Sequence, residues 1–318
     1  MDSHIDLQMK PRESIGWDKF LAETPKASIA LDGYVLGGPN WDERTLHVNF
    51  DHHDNVIREA TMSTCMQVYY AIKGGFMKRF LAGSEDGKVH VFMNDTDQDS
   101  TLAYLLLNNH KLFEGTASNP AVNRMLELIN RADITGGGFP MNIRAKVVRQ
   151  RNWLFQPYTS LRKSGKLAVA DAGMLRDNIG SMEERFAKFL MGEAGEVEPD
   201  LRHEILYQSP HGWWLVNEIG GTDAREYLFS TGMDAFIAIV ATRPDGRRVS
   251  TVGRRTRYVD YPVPELYPVY NKLEGLTLET GWNGSDIVGG SSRSLGTALT
   301  NEQLISSTDS HLAQRKSA

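Results

Sequence analysis

The residues with the clearest chemical potential stand together at positions 51–53, where Asp51 precedes two adjacent imidazoles, His52 and His53. The alternating apolar run of residues 45–50 leads directly into them, so a short strand would deliver all three to its end. Carboxylate and neutral imidazole are the usual ligands of a borderline divalent metal. The triplet by itself is equally compatible with a polar loop after a strand, so other residues must decide.

Other acidic residues stand at the ends of further predicted elements. They are Asp32 after the buried strand 28–31, Asp97 and Asp99 after the strand 89–93, and Asp133 at the end of the helix that Asn119 and Pro120 begin. The carboxyl ends of parallel strands lie along one edge of an open α/β sheet, so we expect these acids and residues 51–53 to converge. One acid in such a place is usually a helix cap. The whole set, with two histidines, favours a cluster that holds two divalent ions.

The composition limits what kind of protein this is. With 318 residues and 41% hydrophobic content, the chain can bury a large core and is long enough for two domains. A formal charge of -5 argues against a surface that binds polyanions everywhere, although a local basic groove is compatible with it. The single cysteine, Cys65, excludes an internal disulfide. No targeting segment or membrane-spanning run is evident, so a cytoplasmic location without membrane association is expected.

Short apolar strands that alternate with helical patterns predict an α/β fold, in which a parallel sheet is flanked by helices and a second, smaller α/β domain follows. Residues 1–26 are polar and aperiodic, and we expect them to form an N-terminal arm. Residues 27–195 would form the larger, metal-binding domain, and residues 200–305 the smaller one. Glycine, glutamate and proline in residues 192–199 are typical of a linker, and residues 306–318 are expected to be a polar tail.

Basic and aromatic residues alternate within residues 140–168, where Trp153, Phe155 and Tyr158 lie between arginines and lysines. Such interleaving is typical of surfaces that follow a nucleic-acid backbone and stack its bases, which makes single-stranded nucleic acid a candidate partner. The alternative is a solvent-exposed pair of strands with packed rings. The sequence leaves both interpretations open.

Arginines and glycines in the last third of the chain indicate an anion-binding site. Arg254 and Arg255 follow a predicted strand, and Gly289, Gly290 and Arg293 lie in the glycine- and serine-rich stretch 281–297. Backbone amides of a glycine-rich turn and guanidinium groups are both good ligands of phosphate, so we predict that these residues bind the substrate. The alternative is a tight turn with surface arginines.

As a set, these motifs resemble those of the DHH phosphoesterase superfamily, which includes family II inorganic pyrophosphatases, exopolyphosphatases, oligoribonucleases and single-strand exonucleases. Asp51-His52-His53 matches the motif that names the family, and Asp32 ends the preceding strand, where the family has a bridging aspartate. Residues 91–100 are similar to the family's strand, D-x-D and helix motif, and residues 133–139 resemble its D-T-G-x-F segment. The last third of the chain resembles, more weakly, the small substrate-binding domain that accompanies the metal-binding domain.

The resemblance implies a divalent-metal-dependent phosphohydrolase that cleaves a phosphoanhydride or short phosphodiester by metal-activated water, with two Mn²⁺ or Mg²⁺ ions. It assigns these roles: Asp97 and Asp99 as ligands of one metal each, Asp32 as the bridging ligand, His52 and Asp133 as further ligands, His53 as a phosphoryl contact, and Asp51 as the residue that orients a histidine. The expected partner is a phosphorylated small molecule or short oligonucleotide, of the pyrophosphate, polyphosphate or oligonucleotide class. Whether the chain forms a homo-oligomer is left open.

Two features depart from the family pattern. The D-x-D strand follows the DHH strand instead of preceding it, and Met93 stands where the family usually has a metal-binding histidine. They motivate a second hypothesis, a binding or structural module that keeps the fold without turnover. A third hypothesis is a single-strand exonuclease that uses residues 140–168.

Overall fold

The protein is described by a computed structural model that covers residues 4–292 and 294–317, and the chain divides into two compact units. The first unit contains Met1–Ile134 and Ala145–Glu198, and the second contains Thr135–Arg144 and Pro199–Ala318. Both are α/β, and each has a mixed sheet flanked by helices. The boundary after Glu198 falls in the predicted linker, whereas the segment 135–144, expected in the first domain, groups with the second unit. Among the described residues, no helix is both long and apolar enough to cross a membrane.

Five strands form the sheet of the first unit: β1 (Ile5–Met9), β2 (Ser28–Leu31), β3 (Asn40–Asp42), β4 (His47–Phe50) and β5 (Val89–Met93). Their order across the sheet is β1-β5-β2-β4-β3. The first four in this order run parallel, and β3 is antiparallel to β4 at the edge. Because β2 lies between β5 and β4, the segments that follow these three strands leave the sheet side by side.

Helices cover both faces of this sheet. They are α1 (Trp17–Glu23), α2 (Arg58–Thr61), α3 (Thr64–Lys73), α4 (Phe76–Gly83), α5 (Gln98–Asn108), α6 (Pro120–Ile134), α7 (Lys146–Leu154), α8 (Gln156–Lys163) and α9 (Ala172–Leu190), with 3-10 turns at His110–Leu112 and Lys166–Val169. Side chains alternate along β2: Ile29 and Leu31 join the large core with α3, α5, α6 and α9, while Ala30 joins a smaller cluster with Phe20. Burial on both faces explains why the strands are continuous apolar runs.

The N-terminal residues do not form the predicted arm, because β1 pairs with β5 and α1 packs on the sheet. Phe20 of α1 is fully buried, and its ring lies 5.1 Å from His47, 5.7 Å from Phe92 and 6.2 Å from Tyr34 between centroids, edge-on to all three. The segment lacks periodicity for a physical reason. β1 is an edge strand of mixed polarity, and α1 buries only one side chain.

Most of residues 140–168 belong to the helices α7 and α8, so this stretch is not the pair of strands that was one of its two interpretations. Phe155 and Tyr158 are buried in the core of the first unit, and the Arg185 guanidinium lies 5.3 Å from the ring centre of Trp153. Two of the three rings therefore pack inside the protein, where they cannot stack on bases. The alternation of basic and aromatic residues reflects helices with one buried and one solvated face.

The second unit contains a six-stranded sheet of order β10-β11-β9-β8-β7-β6. Its strands are β6 (Glu204–Gln208), β7 (Trp213–Asn217), β8 (Ala235–Thr242), β9 (Arg248–Arg254), β10 (Asn283–Gly284) and β11 (Val288–Gly290), and its helices are α10 (Thr222–Ser230), α11 (Val263–Glu274) and α12 (Asn301–Ser317). Only β7 and β8 run parallel. One face packs against α11 and α12, and the other packs against α10.

Residues 306–317 of the predicted polar tail 306–318 instead belong to α12, and residue 318 lies outside the described residues. A capping box begins this helix: the backbone N–H of Thr300 donates to Gln303 Oε1, and that of Gln303 donates to Thr300 Oγ1. The helix is anchored by Asp309, which accepts hydrogen bonds from Tyr207, Ser209 and Trp213. Leu304 and Leu312 of the same helix lie in the core of the second unit, but the buried residue between them is the polar Thr308, so the hydrophobic pattern did not reveal the helix.

The packing of α1 predicts that the N-terminal segment is essential to the first unit. We expect Phe20→Ala to lower the free energy of unfolding by about 3 to 5 kcal/mol, because it removes a buried ring from an aromatic cluster. Urea unfolding followed by circular dichroism measures this change. Lys19→Ala, at an exposed position on the same helix, is the matched control and should shift stability by less than about 0.5 kcal/mol. Equal unfolding midpoints for both variants would contradict the assignment of this segment to the core.

Candidate metal centre

Four separate segments of the first unit bring acids and histidines together. Asp32 follows β2, the residues 51–53 follow β4, Asp99 lies in the first turn of α5, and Asp133 lies in the last turn of α6. Their potential ligand atoms form two groups, one of Asp32, His52 and His53 and another of His52, Asp99 and Asp133. Within each group all atoms lie within 4.8 Å of one another. His52 belongs to both groups, so it is the centre of the cluster.

The imidazole of His52 is completely buried and surrounded by carboxylates. Its Nε2 atom lies 2.5 Å from Oδ2 of Asp133, 3.6 Å from Oδ2 of Asp99 and 3.7 Å from Oδ1 of Asp32. Neither ring nitrogen makes a hydrogen bond of acceptable geometry within the described residues, and the buried Oδ2 of Asp133 makes none either. Buried polar atoms are normally satisfied. Three unsatisfied atoms at one place therefore indicate a ligand that binds there.

Asp51 holds the two histidines in position. Its Oδ1 accepts hydrogen bonds from the backbone N–H groups of His52 (2.6 Å) and His53 (3.0 Å) and pairs with Nδ1 of His53 at 2.7 Å. Its backbone carbonyl accepts from the side-chain amide of Gln67 at 2.9 Å. Asp51 is buried behind the histidines, which agrees with the orienting role expected for it. The side chain of His53 is 42% exposed, so it is the histidine that a solute can reach.

Asp32 sits in a strained and enclosed position. Its backbone φ of +52° lies in the left-handed region, which non-glycine residues seldom adopt. Oδ1 accepts a hydrogen bond from the hydroxyl of Thr64 at 3.0 Å. Burial, followed by the nearby carboxylates of Asp97 and Asp99, holds the pKa of Asp32 well above its ordinary value. Strain and charge repulsion at one residue are typical of a functional site.

Asp99 has a structural role in addition to its place in the cluster. Its Oδ2 accepts from the backbone N–H of Thr64 at 2.7 Å, and its Oδ1 accepts from that of Cys65 at 2.8 Å. The carboxylate of α5 thus caps the N-terminus of α3, which has no side-chain cap of its own. Burial and the charge of Asp133 raise the pKa of Asp99 to about 6.

Asp133 and His52 form a close ion pair, and each shifts the pKa of the other. Burial acts against ionisation of Asp133, but His52 and the guanidinium of Arg58 lower the pKa of Asp133 to about 2. Burial likewise acts to lower the pKa of His52, yet the carboxylates of Asp133 and Asp99 raise it above its ordinary value. The acids outnumber these cations, so the cluster carries excess negative charge that a divalent cation would neutralise. The carboxylate and imidazole donors suit Mn²⁺ or Mg²⁺.

Two residues of the expected ligand region fall outside the two groups of ligand atoms. Asp97 is the N-cap of α5, where its Oδ1 accepts from the backbone N–H of Ser100 at 2.9 Å and from its hydroxyl at 2.7 Å. Asp97 belongs to neither group of ligand atoms, so its ligand role stays a prediction. Met93 is the last residue of β5 and is buried in the hydrophobic core.

The predicted glycine-rich turn of the second unit is a strand. Gly289 and Gly290 belong to β11, which pairs with β10 on one side and β9 on the other. A side chain at Gly289 would collide with the hydroxyl of Tyr267, so glycine is needed there for close packing. A strand paired on both sides does not present a row of open amides, and the predicted anion cradle is wrong in this respect. Arg293 lies outside the described residues.

The arginines after β9 have partners within the second unit. Nε of Arg254 donates to the carbonyl of Asp286 at 2.9 Å, and its Nη1 donates to the carbonyls of Arg257 and Val259, both at 3.2 Å. Nη2 of Arg255 lies 2.6 Å from Oδ1 of Asp234. Arg254 therefore organises the loop that follows β9. Phosphate binding by these two arginines stays a prediction.

Two residues beside the cluster were not predicted from the sequence. Arg58 begins the four-residue helix α2, is 8% exposed, and its Nη1 donates to the backbone carbonyl of Asp133 at 3.3 Å. Thr64 contacts both Asp32 and Asp99. No motif spacing singles out Arg58, and Thr64 looks like an ordinary first residue of a helix.

No protein-family model matches this chain, and no curated protein matches its sequence.

The charge of the cluster predicts how stability of the metal-free protein depends on pH. Asp32 and Asp99 have raised pKa values in the folded state, so the folded protein binds more protons and becomes less stable as pH rises through these values. His52, whose pKa is also raised, acts in the same direction at higher pH. The contribution of Asp133 is lost only in acid, as the pH falls towards about 2.

We therefore expect the EDTA-treated protein to be less stable at about pH 8 than at about pH 5, with Asp99 contributing roughly 1 to 2 kcal/mol over this interval. Thermal unfolding with and without Mn²⁺ measures this, and Mn²⁺ should stabilise the protein more at the higher pH. Asp32→Asn should reduce the pH dependence, whereas Asp18→Asn, at an exposed position, should not. An identical pH dependence in wild type and Asp32→Asn would show that the carboxylate cluster is not strained by charge.

Proposed function

We propose that the first unit is the catalytic unit of a divalent-metal-dependent phosphohydrolase, which cleaves a phosphoanhydride or a short phosphodiester. One observation carries the proposal: Nε2 of the buried His52 lies 2.5 to 3.7 Å from three carboxylates of separate segments, and neither ring nitrogen makes a hydrogen bond of good geometry within the described residues. Structural histidines in a core are normally satisfied. A cluster assembled from four chain segments and left unsatisfied is better explained by a metal centre.

Four residues would hold the metal. Asp32, His52, Asp99 and Asp133 supply the ligand atoms, and His53 completes the group on the exposed side. When bound there, Mn²⁺ or Mg²⁺ generates hydroxide near neutral pH and neutralises charge on phosphoryl oxygens. Nε2 of His52 faces the carboxylates of both groups, and because one imidazole nitrogen binds one cation, these atoms account for one ion; the second expected ion stays a prediction.

His53 is the residue that would meet the phosphoryl group. With Nδ1 fixed by Asp51, its Nε2 is left for a hydrogen bond to a substrate oxygen. Asp51 thus acts as a positioning residue, because it sets the ring orientation of His53 without reaching the substrate.

A second candidate is a metal-binding module of the same fold without turnover. It is favoured by the caps that the two D-x-D acids provide: both oxygens of Asp99 accept from amides of α3, and Oδ1 of Asp97 caps α5. In that case the acids mainly stabilise helices. Bound divalent metal without hydrolysis of any phosphorylated compound would support the module.

The deciding experiment combines metal analysis with a product-release assay. We expect the purified chain to bind divalent metal and, with Mn²⁺, to hydrolyse at least one of pyrophosphate, polyphosphate, linear and cyclic dinucleotides, and oligonucleotides. His52→Ala should lose metal and reduce the rate by at least about 100-fold, because electrostatic stabilisation of the reacting group is lost. His211→Ala, in the second unit, is the control and should keep the wild-type rate. Full activity of His52→Ala with Mn²⁺ would refute the proposal.

A further inference from the structure

We propose that Arg58 anchors the substrate of this phosphohydrolase, by binding an anionic phosphoryl oxygen beside the Asp133 and His52 side of the metal centre. The inference rests on the proposed function and deepens it. It assigns to the first unit a cationic contact for the substrate that no motif of the sequence predicted.

The environment of Arg58 is unusual for a buried cation. More than nine-tenths of the residue is buried, and no ion pair joins it to a carboxylate within the described part of the chain. Its only hydrogen bond there is the one from Nη1 to the carbonyl of Asp133, and its buried Nε has no partner. Buried charges are normally paired. An unpaired guanidinium indicates that an anion from outside the chain completes the site.

The position of Arg58 also fits an anion better than a metal. Its charge lowers the pKa of Asp133 and opposes protonation of His52, so its field reaches both residues. A positive charge so close to a cation site repels the metal and would weaken a centre that bound metal alone. It strengthens a centre in which a phosphate lies between metal and guanidinium, because the planar group can donate two hydrogen bonds to phosphate oxygens.

The competing explanation is that Arg58 only positions Asp133. That role would use one long hydrogen bond, 3.3 Å, to a backbone carbonyl and leave the other donors idle. The two explanations predict opposite effects on metal binding. If Arg58 positions Asp133, its removal weakens metal binding; if it anchors phosphate, its removal relieves repulsion and leaves metal binding equal or stronger.

Calorimetric titration separates them. Mn²⁺ is titrated into the metal-free wild type and Arg58→Gln, and inorganic phosphate is then titrated into the Mn²⁺-loaded forms. For Arg58→Gln we expect Mn²⁺ affinity equal to the wild type or a few-fold higher, and phosphate affinity about 10- to 100-fold lower, the effect of losing hydrogen bonds to a charged group. With the substrate found in the release assay, KM should rise more than kcat falls.

Two further variants keep the test decisive. Arg58→Lys retains the charge without the planar group, so it should bind Mn²⁺ normally and phosphate with intermediate affinity; it also serves if Arg58→Gln fails to fold. Arg79→Gln, whose side chain is 53% exposed and pairs with Glu43, is the matched control and should behave as wild type.

Two results would overturn the inference: Arg58→Gln loses Mn²⁺ binding and phosphate binding together, or both Arg58 variants bind phosphate as the wild type does. Neither result would contradict a metal centre in the wild-type protein. A wild-type chain that binds no Mn²⁺ would overturn the proposed function as well, so the two failures are distinguishable.

Discussion

The constraint on which the first unit depends is the crowding of carboxylates around His52. Folding buries the side chains of Asp32 and Asp99, leaves that of Asp133 31% exposed, and brings all three carboxylates to within 3.7 Å of Nε2 of His52, where like charges repel strongly. The pKa values of Asp32 and Asp99 rise for this reason, and Asp133 ionises readily only because His52 and Arg58 lie beside it. An acidic cluster of this kind is costly without a cation, and that cost links the fold to metal binding.

The scaffold tolerates this cost because several ligands also stabilise the fold. Asp99 caps α3 from a neighbouring helix, Asp51 is bound to two backbone amides, and Asp32 accepts the hydroxyl of Thr64. The candidate metal centre and the helix ends therefore use the same side chains. A single substitution here disturbs both, which is why activity and stability must be measured together before a role is assigned to any of these acids.

The second unit has a different character. Its sheet is largely antiparallel, and its polar side chains, such as Asp309 and Arg254, are used to hold helices and loops. Glycine at position 289 allows a strand to pass the Tyr267 hydroxyl. Composition alone could not separate this use of glycine from an anion-binding turn, because both require a backbone without a side chain.

The sequence by itself determined the buried strands, the helices with a clear apolar stripe and the acids at their ends, because these features depend on local periodicity and short motifs. It predicted the convergence of Asp32, His52, His53, Asp99 and Asp133, since parallel strands align their carboxyl ends. It missed β1, α1 and the length of α12, whose stability comes from partners distant in the chain. Only the tertiary structure decided that Asp99 caps α3 and that Arg58 is buried beside Asp133. These contacts join residues far apart in sequence, and no local pattern records them.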